Sequence, residues 1–161
     1  MISLNHIEQL PVRVRRTIPA DYLDDMGHMN VQFYMALFSD ATSRMFEACG
    51  MGRQVVRKHQ RGAFALQHFI QYRSEIHAGE VVSVRIRLLG RTSRKLHMMD
   101  YLVNESRGEV AATLEALGAH ADLETRKITA CPPQMEEGLQ AFLEQCRALD
   151  WESQTCGCIR L

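Results

Sequence analysis

The feature that most constrains this chain is a change of hydrophobic period partway along it. Between Val31 and Ala48 the apolar residues Val31, Tyr34, Leu37, Phe38, Ala41, Met45 and Ala48 recur every three or four positions, predicting a long helix with a broad apolar face. Asn30 suits its N-cap, and Gly50 and Gly52 its stop. From Phe64 the period falls to two, predicting strands over Phe64–Ile76, Glu80–Leu89, Lys95–Asn104 and Glu109–Asp122, with turns at Ala78-Gly79, Gly90–Arg94 and Arg107-Gly108. In the second of these, Val82, Val84, Ile86 and Leu88 alternate with Ser83, Arg85 and Arg87, the pattern of a half-buried strand. An earlier strand is expected over Pro11–Pro19. Arg53–Arg61 reads as a basic, irregular connection, and Gln134–Leu149 as a C-terminal amphipathic helix after Pro132-Pro133. Consecutive strands with short turns pair antiparallel. One apolar-faced helix beside such a sheet makes an α+β domain in which the sheet wraps the helix.

At 161 residues the chain is about one domain's worth, expected to form a single domain with its core over roughly residues 10–130. Nineteen Lys and Arg balance nineteen Asp and Glu, which argues against nucleic-acid binding by bulk positive charge. Hydrophobic residues at 46% argue against disorder, and no apolar run is long enough to span a bilayer. The N-terminal stretch MISLNHIEQLPVRVRR lacks the apolar centre of a signal peptide. The five cysteines follow no regular frame, so reduced thiols and a cytoplasmic location are expected. Cys156 and Cys158 sit in a C-terminal CGC. With no second ligand pair at zinc spacing, it reads as an exposed, mobile tail rather than a metal site.

The chemistry concentrates in Asp21–Asn30, DYLDDMGHMN, which places three carboxylates, one imidazole and one carboxamide just before the long helix. A helix start offers unpaired N–H groups and the positive end of the macrodipole, able to hold a developing oxyanion. A carboxylate beside it can attack a carbonyl or activate water. Gly27 lets the chain bend sharply. The combination points to acyl-transfer or hydrolytic chemistry, set against the plainer reading of a capped helix with a hydrogen-bonded loop. A metal site here is weaker still, because Gly27 breaks the register that would bring Asp21, Asp24 or Asp25 together with His28.

The run Asp24-Asp-Met-Gly27-His28-Met-Asn30-Val-Gln-Phe-Tyr34 resembles the D-x-x-G-H-x-N-x-x-x-Y signature of hot-dog-fold acyl-CoA thioesterases, in the hydroxybenzoyl-CoA thioesterase-like branch. Ile70–Val82, the Gly90–Lys95 turn and Ala111–Glu115 are similar to that family's later strands and turns. Within the branch, GHMNVQFYMALFSDAT and RKLHMMDYLVNE look most like the betainyl-CoA thioesterases of carnitine breakdown. Those proteins carry extra tryptophan near the central helix; here the one tryptophan is Trp151.

The resemblance implies a hot-dog fold and hydrolysis of an acyl-CoA thioester to free acid and coenzyme A, with no cofactor beyond the substrate's own coenzyme A. It implies Asp24 as general base or nucleophile. His28 orients the loop or contacts the thioester, Asn30 caps the helix and positions water, and the backbone N–H of Val31 polarises the carbonyl. Gly27 and Tyr34 would lie against the substrate, with a plain core role as the alternative for Tyr34. Arg91, Arg94 and Lys95, on one turn, would meet the phosphates, with a solvated surface as the alternative; Arg57, Lys58 and Arg61 form a second basic run. The resemblance further implies a homodimer or homotetramer. Two other classes stay open: a non-catalytic hot-dog module that binds an acyl thioester or a partner protein, and a hot-dog hydratase or dehydratase. The second normally carries a proline-containing loop that is not found after Asp24.

Overall fold

The computed structural model describes residues 3–161; Met1 and Ile2, at the head of the segment read above as no signal peptide, lie outside them. A short helix α1 (Leu4–Glu8) leads into β1 (Val12–Thr17) and a 3-10 turn (Ala20–Tyr22), followed by the long helix α2 (Val31–Ala48). Next come α3 (Arg53–His59), β2 (Arg61–Tyr72), β3 (Val81–Arg91), β4 (Lys95–Asn104), β5 (Glu109–Asp122), the two-residue β6 (Lys127–Ile128) and α4 (Pro133–Arg147).

The period-3.6 pattern places α2 as expected. Tyr34, Leu37, Phe38, Ala41 and Met45 are buried against the sheet, and Asn30 caps the helix by accepting the Gln32 N–H. The sheet curls around this helix in the hot-dog arrangement, giving an α+β domain. All pairings are antiparallel, in the order β1-β3-β4-β5-β2, with β6 against β5. The inward row of β3 (Val82, Val84, Ile86, Leu88) and that of β4 (Leu96, Met98, Leu102) join the helix in one core.

Four expectations need correction. Arg53–His59 is helical, because the apolar pair Val55-Val56 sits half-buried in a run that Gly52 starts and Gln60 ends in the left-handed conformation. β2 does not pair with β3; it lies on the opposite edge beside β5, from Arg61↔Asp122 to Tyr72↔Ala112. Short connections favour neighbouring strands, but residues 73–80 cross an end of the sheet instead. Their anchor is Ile76, which is fully buried.

The third correction concerns β3, which is buried on both faces: Ser83 and Arg87 are as enclosed as the valines. The cause is the fourth. The CGC tail is not a free tail; residues 148–161, with α1, cover the outer face of the sheet. Trp151 is the centre of that cover. The Arg87 guanidinium lies 4.2 Å from its ring centroid, His6 stacks on it, Tyr101 meets it edge-on, and its Nε1–H donates to Gln9 Oε1. Arg87 also donates to the carbonyls of Trp151 and Cys146, which satisfies a charge that burial would otherwise penalise. Among the described residues no helix is long and apolar enough to cross a membrane.

Candidate active site

After β1 the chain is stitched to the crossover. Ile18 N–H donates to the Glu80 carbonyl (2.9 Å), and Gly79 N–H returns a bond to the Ile18 carbonyl (2.8 Å). Beyond the 3-10 turn, residues 23–29 fold back as a small hairpin closed by the Leu23↔Met29 bridge. Its inner bonds run from Asp24 N–H to the His28 carbonyl and from Gly27 N–H to the Asp24 carbonyl, both 3.0 Å. The tip needs Gly27, whose φ is +85°, a region costly for residues with a Cβ. An added Cβ would meet nothing within 4 Å, so the requirement is one of backbone conformation alone.

This hairpin sets the position of the Asp24 carboxylate. Oδ1 accepts the Met26 N–H at 2.9 Å, and Oδ2 lies 3.5 Å from His28 Nδ1. The side chains of Asp24 and His28 are 19% and 24% exposed, enclosed enough to be held and open enough to be reached. Asp25 and Met26 point into solvent.

The strand opposite Asp24 runs straight into α2: Asn30 N–H donates to the Tyr22 carbonyl at 2.9 Å, and the helix begins one residue later. The cap uses the N–H groups of Gln32, through Asn30 Oδ1, and of Phe33, through the Asn30 carbonyl. The Val31 N–H, at the first helical position, takes part in neither bond. Val31 is itself 59% exposed. A carboxylate, an imidazole and the positive end of an 18-residue helix therefore meet within one loop. Such a site can activate water or attack an acyl carbon while the helix end polarises the carbonyl oxygen.

Several residues support the site without any sequence signal of their own. Tyr22 and Phe33 stack at 3.8 Å between centroids, fixing the loop to the first turn of α2. His77 Nδ1–H donates to the Gly27 carbonyl at 3.0 Å, and Met29 N–H to the Ile76 carbonyl at 2.7 Å, so the crossover holds the hairpin at its tip and at the Met29 end. Glu80 organises the crossover: it accepts from His77 N–H and Asn104 Nδ2 and pairs with Arg107. Burial alone would raise the Glu80 carboxyl, but these donors and the Arg107 charge outweigh it and hold the group below the usual carboxylate range.

Tyr34, expected beside the substrate, is buried at 4% exposure and meets Tyr72 edge-on at 5.0 Å. Burial first, and the neighbouring Tyr72 second, push its phenol up to about 12. The turn carrying Arg91, Arg94 and Lys95 lies at the far end of β3 from the Asp24 loop, about 30 Å away along an 11-residue strand. Arg91 is tied to α4 through Glu136 (2.7 Å) and Gln140 (3.2 Å), whereas Arg94 is exposed and Lys95 half-buried. Within one chain these cations and Asp24 do not share a site. Among the described residues no group of three or more His, Cys, Asp or Glu side chains is placed to hold a metal ion.

The chain is similar to the L-carnitine dehydrogenase/betainyl-CoA thioesterase of Ruegeria pomeroyi, 28% identical over 145 residues, which are 90% of this chain and 29% of that protein. The chain thus spans less than a third of that larger relative. It is also 26% identical to the betainyl-CoA thioesterase of Pseudomonas aeruginosa over 80% of this chain and 81% of that one. A hypothetical protein of Staphylococcus aureus, solved in complex with CoA, superposes with a TM-score of 0.84 at 22% identity, covering 94% of this chain and 96% of that chain, a likeness of fold. Residues 18–139 match the profile of the Thioesterase-like superfamily. That match takes in the Asp24 hairpin, the capped helix and every strand of the sheet from β2 onward, and the chain belongs to the Thioesterase-like superfamily.

Proposed function

We propose that this protein hydrolyses an acyl-CoA thioester to the free acid and coenzyme A. The observation that carries this reading is the Asp24 carboxylate, fixed by the Met26 N–H and by His28, opposite the strand that opens α2 at Val31. Asp24 acts on the thioester carbon, directly or through a water it deprotonates. The Val31 N–H and the helix end take up the charge that grows on the carbonyl oxygen. The carbon–sulfur bond then breaks, and coenzyme A leaves as its thiol.

The acyl group best suited to the surroundings carries a cation, such as the trimethylammonium of betainyl-CoA. The half-buried Tyr22–Phe33 stack and the exposed Tyr72 ring, edge-on to Tyr34, provide aromatic surface near the start of α2. The naming of the similar Ruegeria and Pseudomonas proteins supports the same choice.

The working unit is a homodimer. Among the described residues β2 pairs only with β5, and beside its unpaired edge Leu66 and Tyr72 are 40% and 48% exposed, so a second copy of the edge is its natural cover. A second copy would also bring Arg94 and Lys95 toward the Asp24 loop of the first, to meet the coenzyme A phosphates. The test is thiol release from a panel of short, long, aromatic and betainyl thioesters, with wild type and Asp24→Asn side by side. Release that depends on Asp24 supports the reading. Release that survives the substitution removes Asp24 from the mechanism, and none from any substrate favours a binding module.

A further inference from the structure

The CGC segment has an environment unlike that of the other cysteines. Cys49, Cys131 and Cys146 are buried, and burial pushes all three thiols up, which keeps them protonated and inert. Cys156 is half-buried and Cys158 exposed. Both line a cleft of about 820 Å³ on the outer face of the sheet, with His68, Phe69, Thr155 and Ile159.

The tail is docked at this point. Cys156 N–H donates to Glu115 Oε2 at 2.5 Å, and His97 Nε2–H donates to Glu115 Oε1 at 2.8 Å. Burial alone would raise the Glu115 carboxyl; the bonds from Cys156 and His97 outweigh it and hold it ionised. Beyond the anchor, Gly157 (φ +76°) turns the chain so that Cys158 N–H reaches Cys156 Sγ at 3.4 Å. The two thiols thus sit on one tight turn, one held against the protein and the other facing water. A turn of this kind keeps residues two apart within the roughly 4.4–6.8 Å Cα separation that a disulfide accepts.

We propose that Cys156 and Cys158 form a thiol–disulfide exchange site that takes a low-molecular-weight disulfide of the glutathione-disulfide class. Cys158 is the attacking residue, because it is open to solvent and farther from the Glu115 negative charge. Its thiolate attacks one sulfur of the small disulfide, forms a mixed disulfide and releases one thiolate. Cys156, as thiolate after its proton passes to water, then attacks Cys158 Sγ. The Cys156–Cys158 bond forms, and the second small thiolate leaves. Two protein thiols are oxidised and one small disulfide is reduced to two thiols, so electrons and atoms balance. The site stands on the outer face of the sheet and is independent of the thioesterase reading.

The test uses the full reduced chain. It is treated with glutathione disulfide, free thiols are trapped by alkylation, and the tryptic peptide Ala148–Arg160, which contains both cysteines and no other, is weighed. The expected product is this peptide two hydrogens lighter and unalkylated, in a chain that runs as a monomer on a denaturing, non-reducing gel. In Cys156→Ser the same peptide should keep one glutathione, at a level at least about tenfold above wild type, because the resolving thiol is gone. The serine retains the backbone N–H that docks to Glu115, so the tail keeps its place. Three outcomes overturn the proposal: a persistent mixed disulfide in wild type, a disulfide linking two chains, or two alkylated cysteines after treatment.

Discussion

Met29 N–H donates to the carbonyl of Ile76 at 2.7 Å, and this bond fastens the acid-bearing hairpin to a crossover that lies far from it in sequence. The crossover in turn leans on Glu80, so the position of Asp24 depends on residues that carry no chemistry themselves. Replacing His77 with alanine removes the tether to the Gly27 carbonyl but leaves buried Ile76 in place. We expect kcat for thioester hydrolysis to fall roughly tenfold with little change in Tm, since small displacements of a reacting group are costly. Steady-state kinetics beside a thermal melt separates the two effects.

Asp24→Asn preserves size and the acceptor for the Met26 N–H but removes the base or nucleophile. The expected loss in kcat is about 10²–10⁴-fold, the range associated with a positioned acid or base. Coenzyme A affinity should change little. Thiol-release kinetics with a parallel binding measurement checks both.

The separation of Asp24 from the Arg94–Lys95 turn makes subunit complementation a sharp test. An Asp24→Asn chain and a chain carrying Arg94→Ala with Lys95→Ala should each be weak alone. Mixed dimers should contain one fully wild-type site and recover activity toward half of that per normal dimer. Recovery requires that each site draw on both chains. Its absence would return the basic turn to an ordinary surface role.

Asp100 on β4 is fully buried beneath α2, and neither carboxylate oxygen meets a hydrogen-bond partner of normal geometry. Burial holds its pKa well above the usual carboxylate range, and the Thr42 hydroxyl offsets little of this. The folded protein therefore keeps a proton that the unfolded chain releases above about pH 4, so stability falls as pH rises beyond that point. Asp100→Asn should remove this slope and gain on the order of 1 kcal/mol at pH 8, about 2–4 °C in Tm. Melts from pH 5 to 8 would show the wild-type and variant curves diverging toward the alkaline end.

Trp151 links the C-terminal cover to Arg87, Tyr101 and α1. Trp151→Ala should cost about 3–5 kcal/mol, the range for deleting a buried aromatic ring, and should free the tail. Thioester hydrolysis measured well below the melting point should persist, because the Asp24 loop makes none of those contacts. Denaturant unfolding and proteolysis at residues 148–161 report the two predicted changes.

The sequence by itself determined α2, its Asn30 cap, β4 and β5, and the loop in which Asp24, Gly27 and His28 stand. These rest on interactions within a few residues: a helical stripe, strand alternation, a cap and a left-handed glycine. Tertiary structure decided what lies beside what. Alternation in β3 marks an inward row, and the apolar residues of β2 mark a strand, but neither identifies a neighbouring strand, so the crossover that puts β2 beside β5, and His77 under Gly27, left no local sign. The arginines of β3 read as a wet face, yet Arg87 is buried because Trp151 and the last turn of α4, remote in sequence, supply its partners. The CGC motif was visible as letters, and only the docking of Cys156 onto Glu115 turned a tail into a site. Short-range periodicity records which atoms avoid water; long-range packing decides which atoms replace it.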